Sequence, residues 1–149
     1  MESYQQPIIR VAQASDAHKL KALNDIFNDD DDTNLHELET SLRENKKEII
    51  VCADIGTAII GVCCVQIIST MCFNWQYCFI TELFVQEEYR NRGIGAALMK
   101  FAEAEVKKIG IRKTFLWTGE ANEAARKLYK SIGFIEMSDA VMCMKEYSH

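Results

Sequence analysis

Between Phe79 and Val85 the chain runs Phe-Ile-Thr-Glu-Leu-Phe-Val, with Glu82 its one ionisable residue. An unbroken row of β-branched and aromatic residues suits a buried strand. A carboxylate held there loses hydration, which raises its pKa toward the range useful to a general base. A short charged turn follows, then Arg90-Asn91-Arg92-Gly93-Ile94-Gly95-Ala96, then a helical pattern free of proline. Strand, glycine loop and helix N-terminus together make a receiver for anions. The N–H groups at the helix start point outward, the helix dipole favours negative charge, and glycines admit a ligand close to the backbone. Arg90 and Arg92 add positive charge at the same place.

The identity of the anion follows from what the loop lacks and what it matches. A Walker A loop ends in Gly-Lys-Ser/Thr, and none is present; the dinucleotide fingerprint needs a further glycine where Leu98 stands. Arg90, Gly93 and Gly95 do match R-x-x-G-x-G behind a strand ending in Leu-Phe-Val. This resembles the coenzyme A loop of the GNAT family of N-acetyltransferases. Alone the pattern is also compatible with a plain strand-to-helix turn bearing an arginine cluster. Two further stretches carry the resemblance across nearly the whole chain. IIRVAQASDAHKLKAL is similar to the family's first strand and helix, with Arg10, Ala12 and Asp16 in place. NEAARKLYKSIGF is similar to its second cofactor motif, with Asn122, Tyr129, Gly133 and Phe134 at the family's spacing.

The elements that must position these residues read as follows. Ile8–Val11 forms a first strand, and Ser15 or Asp16 caps a helix to about Phe27 with Leu20, Leu23 and Phe27 on one face. Asp29, Asp30, Asp31 and Asp32 break it by like-charge repulsion and poor helix propensity. A second helix spans about Asn34 to Glu44, and strands follow at Glu48–Ile55 and Ala58–Ile68. After the strand at Phe79 comes a helix from Ile94 to Ile109, a strand at Lys113–Thr118, and a helix from Asn122 to Ile132 stopped by Gly133. Short strands near Phe134–Met137 and Val141–Lys145 close the chain. The order β-α-α-β-β-β-α-β-α-β-β predicts one α/β domain over residues 1–149. The resemblance implies that its mixed sheet is splayed, as in other GNAT proteins.

Composition bounds the function. The chain has 149 residues, 48% hydrophobic and 26% charged, ordinary for a soluble domain. Its longest apolar run, Ala58–Ile68, is too short to span a bilayer, and no signal peptide is visible, so a cytoplasmic protein without membrane contact is expected. From Gln86 to Ile132 the charge is +4; the remainder carries −9. A basic footprint for nucleic acid is missing. Six cysteines, Cys52, Cys63, Cys64, Cys72, Cys78 and Cys143, contain no C-x-x-C pair and read as buried apolar thiols, so neither a metal nor a disulfide framework is expected.

What the resemblance implies is more specific. Acetyl-CoA is the expected cofactor, its pyrophosphate on the backbone of Asn91 to Ala96 and its pantetheine arm along Leu83, Phe84 and Val85, with Asn122 bonding that arm or merely capping its helix. Tyr129 is expected to protonate the leaving thiolate, a role that a phenol of pKa near 10 can fill; a core tyrosine is the alternative. Glu82 resembles the family's base, often acting through water, although binding the acceptor's ammonium or facing solvent is also compatible. Trp117 stands where N-terminal acetylases of the family often carry a glutamate, which leaves Glu82 as the base. Asp29 to Asp32 fall where the family builds its acceptor site, and carboxylates there draw cations. A small cationic amine, polyamine-like or aminoglycoside-like, is the expected substrate, with a solvated acidic loop as the alternative. Protein lysine or N-terminal acetylation, and a non-catalytic acyl-CoA sensor, are competing readings; a homodimer and a monomer are both compatible with the sequence.

Overall fold

The computed structural model describes residues 5–28 and 33–148; the acidic run Asp29 to Asp32 lies outside the described residues. Contacts gather into two units, Met1–Trp117 and Thr118–His149.

The first unit contains β1 (Ile8–Val11), α1 (Ala17–Phe27), α2 (Leu35–Glu44), β2 (Glu48–Asp54), β3 (Ile59–Ile68), β4 (Tyr77–Val85), α3 (Ile94–Lys108) and β5 (Thr114–Phe115). The sheet order is β1-β2-β3-β4-β5. All pairs are antiparallel except β4 with β5. The sheet is therefore mixed, as the element order predicts. Side chains alternate between its faces. On one face Cys52, Ile59 and Val62 pack with Leu20 and Leu23 of α1, and Leu38 and Leu42 of α2 lie against them. On the other, α3 buries Leu98, Met99, Ala102 and Val106, with Met99 Sδ 3.8 Å from Cys63 Sγ. Gly61 permits that close approach, since a Cβ there would lie 3.1 Å from Leu98 Cδ1 and 3.2 Å from the Phe84 carbonyl oxygen.

Charge also organises the sheet's first edge. Both Nη atoms of Arg10 donate to Asp16 at 2.7 Å, and one also reaches Asp54 at 2.8 Å. Lys19 joins Asp54 at 3.3 Å. Asp16 also accepts the Gln13 N–H at 2.7 Å, so it serves the turn before α1 rather than capping α1 through its side chain. At α2, Asn34 is the cap rather than the first helical residue: its Oδ1 accepts from the His36 and Glu37 N–H groups. All six cysteines are free, and Cys52, Cys63 and Cys78 are buried, whereas Cys72 and Cys143 are exposed. Burial pushes the Cys52 thiol up to about 11 and Cys63 up to about 12.

In the second unit α4 (Glu123–Ser131) starts at Asn122, whose Oδ1 accepts from the Ala125 N–H at 3.2 Å. Gly133, at φ 98°, ends it, and the Phe134 N–H returns to the Tyr129 carbonyl at 3.0 Å. Two expectations are corrected here. The strand expected over Lys113–Thr118 is realised only at Thr114–Phe115, because pairing with β4 stops after Phe79 meets Phe115. The expected strands near Phe134–Met137 and Val141–Lys145 are absent among the described residues. Their apolar runs are strand-like, but a strand without a partner ladder is not stable. Arg126 instead holds Glu136 by two hydrogen bonds, at 2.8 and 2.9 Å.

Candidate active site

β4 changes phase in its middle. Ile80 pairs with Val65 and Glu82 with Cys64, so Thr81 is an extra residue with no partner on β3. Such a bulge bends the strand and increases its twist. It also sets which face each later side chain takes. Cys64 and Phe84 both lie against the α1–α2 core, and Glu82 stands directly opposite Cys64, so Glu82 shares that face. Leu83, opposite Cys63, and Val85 face α3. Simple alternation from Phe79 would have turned Glu82 toward α3; the bulge puts it on the α1–α2 face instead. Burial raises the Glu82 carboxyl above the ordinary glutamate range, although the residue as a whole is exposed.

Beyond Phe79 the far edge of β4 is open among the described residues, since β5 pairs only with Cys78 and Phe79. The Gln86 N–H donates to the Ile60 carbonyl at 2.8 Å. By antiparallel alternation the backbone groups of Phe84 and Glu82 then face β3, and those of Leu83 and Val85 face the open edge. Arg90 Nε donates to the Val85 carbonyl at 2.8 Å, and its guanidinium lies 5.7 Å from the Phe84 ring centroid. The sequence marked Arg90 for its charge; its part in fastening the strand end became visible only in three dimensions.

The loop after β4 takes two left-handed turns, Asn91 at φ 60° and Gly93 at φ 77°. Asparagine and glycine are the residues that enter this region most readily. Gly93 is the N-cap of α3 and brings no side-chain cap. The first intrahelical bond runs from the Ala97 N–H to the Gly93 carbonyl at 3.0 Å. The N–H groups of Ile94, Gly95 and Ala96 therefore point out of the helix start. α2 and α4 each have an asparagine in that position. α3 lacks one, and its bare amides suit a phosphate group. Arg92 lies over Tyr89 in the same loop, 5.7 Å from the ring centroid.

The first unit thus brings together Glu82, the open stretch Leu83, Phe84 and Val85, and the loop Arg90 to Ala96. Asn122 and Tyr129 belong to the second unit. There Asn122 fills the capping role, and the Tyr129 ring lies 6.0 Å from Phe134. Where the acidic run would stand, only its neighbours are described. The Phe27 ring lies 4.6 Å from Phe84, and Asn24 Nδ2 donates to Thr33 Oγ1 at 2.9 Å. α1 therefore ends over the strand that carries Glu82, and the chain on the far side of the run returns to α1. Sequence reasoning missed the ring contacts of Phe79 with Phe115 and Trp117, at centroid distances of 6.4 and 4.3 Å. Aromatic residues recurring at alternate positions in both segments were the available signal. Among the described residues no helix is long and apolar enough to cross a membrane.

Comparison with known proteins adds the following. A family model described as Acetyltransferase (GNAT) family matches residues 16–134. An uncharacterized N-acetyltransferase of Methanocaldococcus jannaschii is 46% identical over 57 residues, 38% of this chain and 25% of that protein. An uncharacterized N-acetyltransferase of Bacillus subtilis is 36% identical over 70 residues, 47% of this chain and 44% of that protein. The matched stretch thus spans less than half the length of either relative. Among solved structures, an aminoglycoside acetyltransferase from an uncultured soil metagenomic sample, in complex with sisomicin, superposes with a TM-score of 0.83. It is 16% identical, with 95% of this chain and 96% of that one covered, a likeness of fold.

Proposed function

The chain belongs to the acetyltransferase (GNAT) family, and on that premise we propose that it is an N-acetyltransferase moving an acetyl group from acetyl-CoA to a primary amine of a small cationic acceptor. The observation that carries this reading is the uncapped N-terminus of α3 beside the open edge of β4 that holds Glu82. When bound, acetyl-CoA supplies an acetyl group activated as a thioester. The N–H groups of Ile94, Gly95 and Ala96, with the loop from Arg90 to Gly93, suit its pyrophosphate. The outward backbone groups of Leu83 and the Val85 N–H suit its amide-bearing arm as an added strand, the Val85 carbonyl being held by Arg90, and Asn122 is a further donor for that arm.

Glu82 takes the proton that the acceptor's ammonium must lose, directly or through water, and its raised carboxyl favours that task. With acetyl-CoA bound, the neutral amine would form the amide C–N bond as the C–S bond breaks; Tyr129 would give its proton to the sulfur and regain one from solvent, which takes the nitrogen's second proton. Asp29 to Asp32, which lie outside the described residues, would add negative charge that draws a cationic acceptor. Polyamine-like and aminoglycoside-like amines both fit that field, and an aminoglycoside acetyltransferase shares the fold. The test is incubation with acetyl-CoA and a panel of amines, following CoA release and the mass of the product. A product heavier by one acetyl group on nitrogen is expected; acetyl-CoA binding without any acetylated amine would leave a sensor instead.

A further inference from the structure

The chain's two tryptophans both belong to one run of ring contacts around β4 and β5. Phe73 meets Trp75 at 5.0 Å between centroids, Trp75 meets Tyr77 at 6.2 Å, and Tyr77 meets Phe115 at 5.7 Å. Phe115 then continues to Phe79 and Trp117. Phe79 pairs with Gln66 and Glu82 with Cys64, two residues apart on β3. Phe79 and Glu82 therefore share a face, separated by roughly 7 Å of strand. Across the sheet at the level of Phe79 stand Gln66 and then Glu48, whose carboxylate accepts from Gln66 Nε2. Phe115 is 40% exposed and Trp117 64%.

We propose that this strip is the acceptor wall and that the acceptor is a linear aliphatic diamine or polyamine, its reacting amine at Glu82 and its next ammonium over Phe79 and Trp117. The proposal rests on the transferase reading of Glu82. Aromatic faces attract ammonium groups and bury methylenes, and Glu82 and Glu48 flank the same stretch with negative charge. The chain itself supplies a precedent: the Lys113 ammonium, on its own butyl stem, lies 5.6 Å from the Trp75 centroid. That lysine occupies the far end and repels a further cation there. The open stretch is Phe79, Phe115 and Trp117, which suits ammonium groups about four methylenes apart. Phenyl rings accept no conventional hydrogen bonds, and indole offers one donor. The many hydroxyls of an aminosugar laid on this wall would find fewer partners than in water, whereas a linear diamine brings none to satisfy.

Both tryptophans sit on the strip, so intrinsic fluorescence reads it without catalysis. In protein saturated with CoA, 1,4-diaminobutane should give a saturable change in emission, at concentrations at least tenfold lower than n-butylamine needs. With acetyl-CoA, the ratio of kcat/KM for 1,4-diaminobutane to that for sisomicin should fall at least tenfold in Trp117→Leu and stay within about threefold in Trp117→Phe. Thermal melts of both variants check their folding. A ratio unmoved by Trp117→Leu, or sisomicin turned over in preference to the diamine, overturns the proposal. Diamine binding by fluorescence with no acetylation of any amine would overturn the transferase reading and leave the diamine wall standing.

Discussion

Glu82 combines a raised carboxyl with an address one residue past a bulge, and its removal should act on chemistry rather than folding. Glu82→Gln is expected to lower kcat by about two orders of magnitude. The acid limb of the pH profile, which lies above the ordinary glutamate range in the parent because the base must be ionised, should vanish; an unchanged limb with only KM raised would make Glu82 an acceptor-binding group. Tyr129→Phe should slow turnover by roughly one to three orders of magnitude while thermal stabilisation by acetyl-CoA persists; parent-like turnover would return the ring to its packing with Phe134. Arg10 poses a question of stability. It holds Asp16 and Asp54 below the usual carboxylate range, chiefly through its hydrogen bonds. Both are therefore depressed in the folded state, so their stabilisation is present above pH ~4 and fades as pH falls through the lowered folded values. Arg10→Met should cost about 3 kcal/mol at pH 7, since it strands a nearly buried Asp16. The gap between variant and parent should narrow toward pH ~2, measured by urea melts at both. A gap independent of pH would mean that lost packing dominates.

Among the elements, those whose signals are local were legible. The second helix falls at Leu35–Glu44 close to the expected bounds, the apolar stripe Leu98, Ala102 and Val106 faces the sheet, and Gly93 opens α3. What escaped depends on pairing. Nothing in Phe-Ile-Thr-Glu-Leu-Phe-Val says that Thr81 is extra, because a bulge is a relation between two strands. Trp75, Tyr77 and Phe115 likewise meet only once β5 lies beside β4. The unmade strands after Phe134 show the converse: a suitable pattern without a partner is not an element. At α3, Gly95 has no positive φ, so a side chain is compatible with its backbone. Gly95→Val should leave the apo melting temperature within a few degrees, because the cost of a β-branched residue in a first turn is well below 1 kcal/mol. It should abolish the shift given by acetyl-CoA, by crowding the outward amides. A retained shift would move the phosphate site elsewhere.

At the scale of the whole molecule, charge is divided: the segment with the anion loop is basic, while the remainder is acidic. If Asp29 to Asp32 gather the acceptor, replacing all four with Asn should chiefly raise KM. That effect should shrink as salt is raised from 0.02 to about 0.5 M, where the screening length falls to a few ångströms. A change confined to kcat would exclude long-range capture. The bulge reaches the same scale by another route. Phe79 and Glu82 share a face although three residues apart, because the bulge absorbs Thr81; excising Thr81 would keep every later side chain on its present face. The strand would then bend less, and on this account it could pair with β5 past Phe79. Such a chain, shorter by one residue, should gain ladder bonds and resist heat better while having no slot left for the acyl donor. Its irregularity is thus the part of the sheet that selection for stability alone would erase.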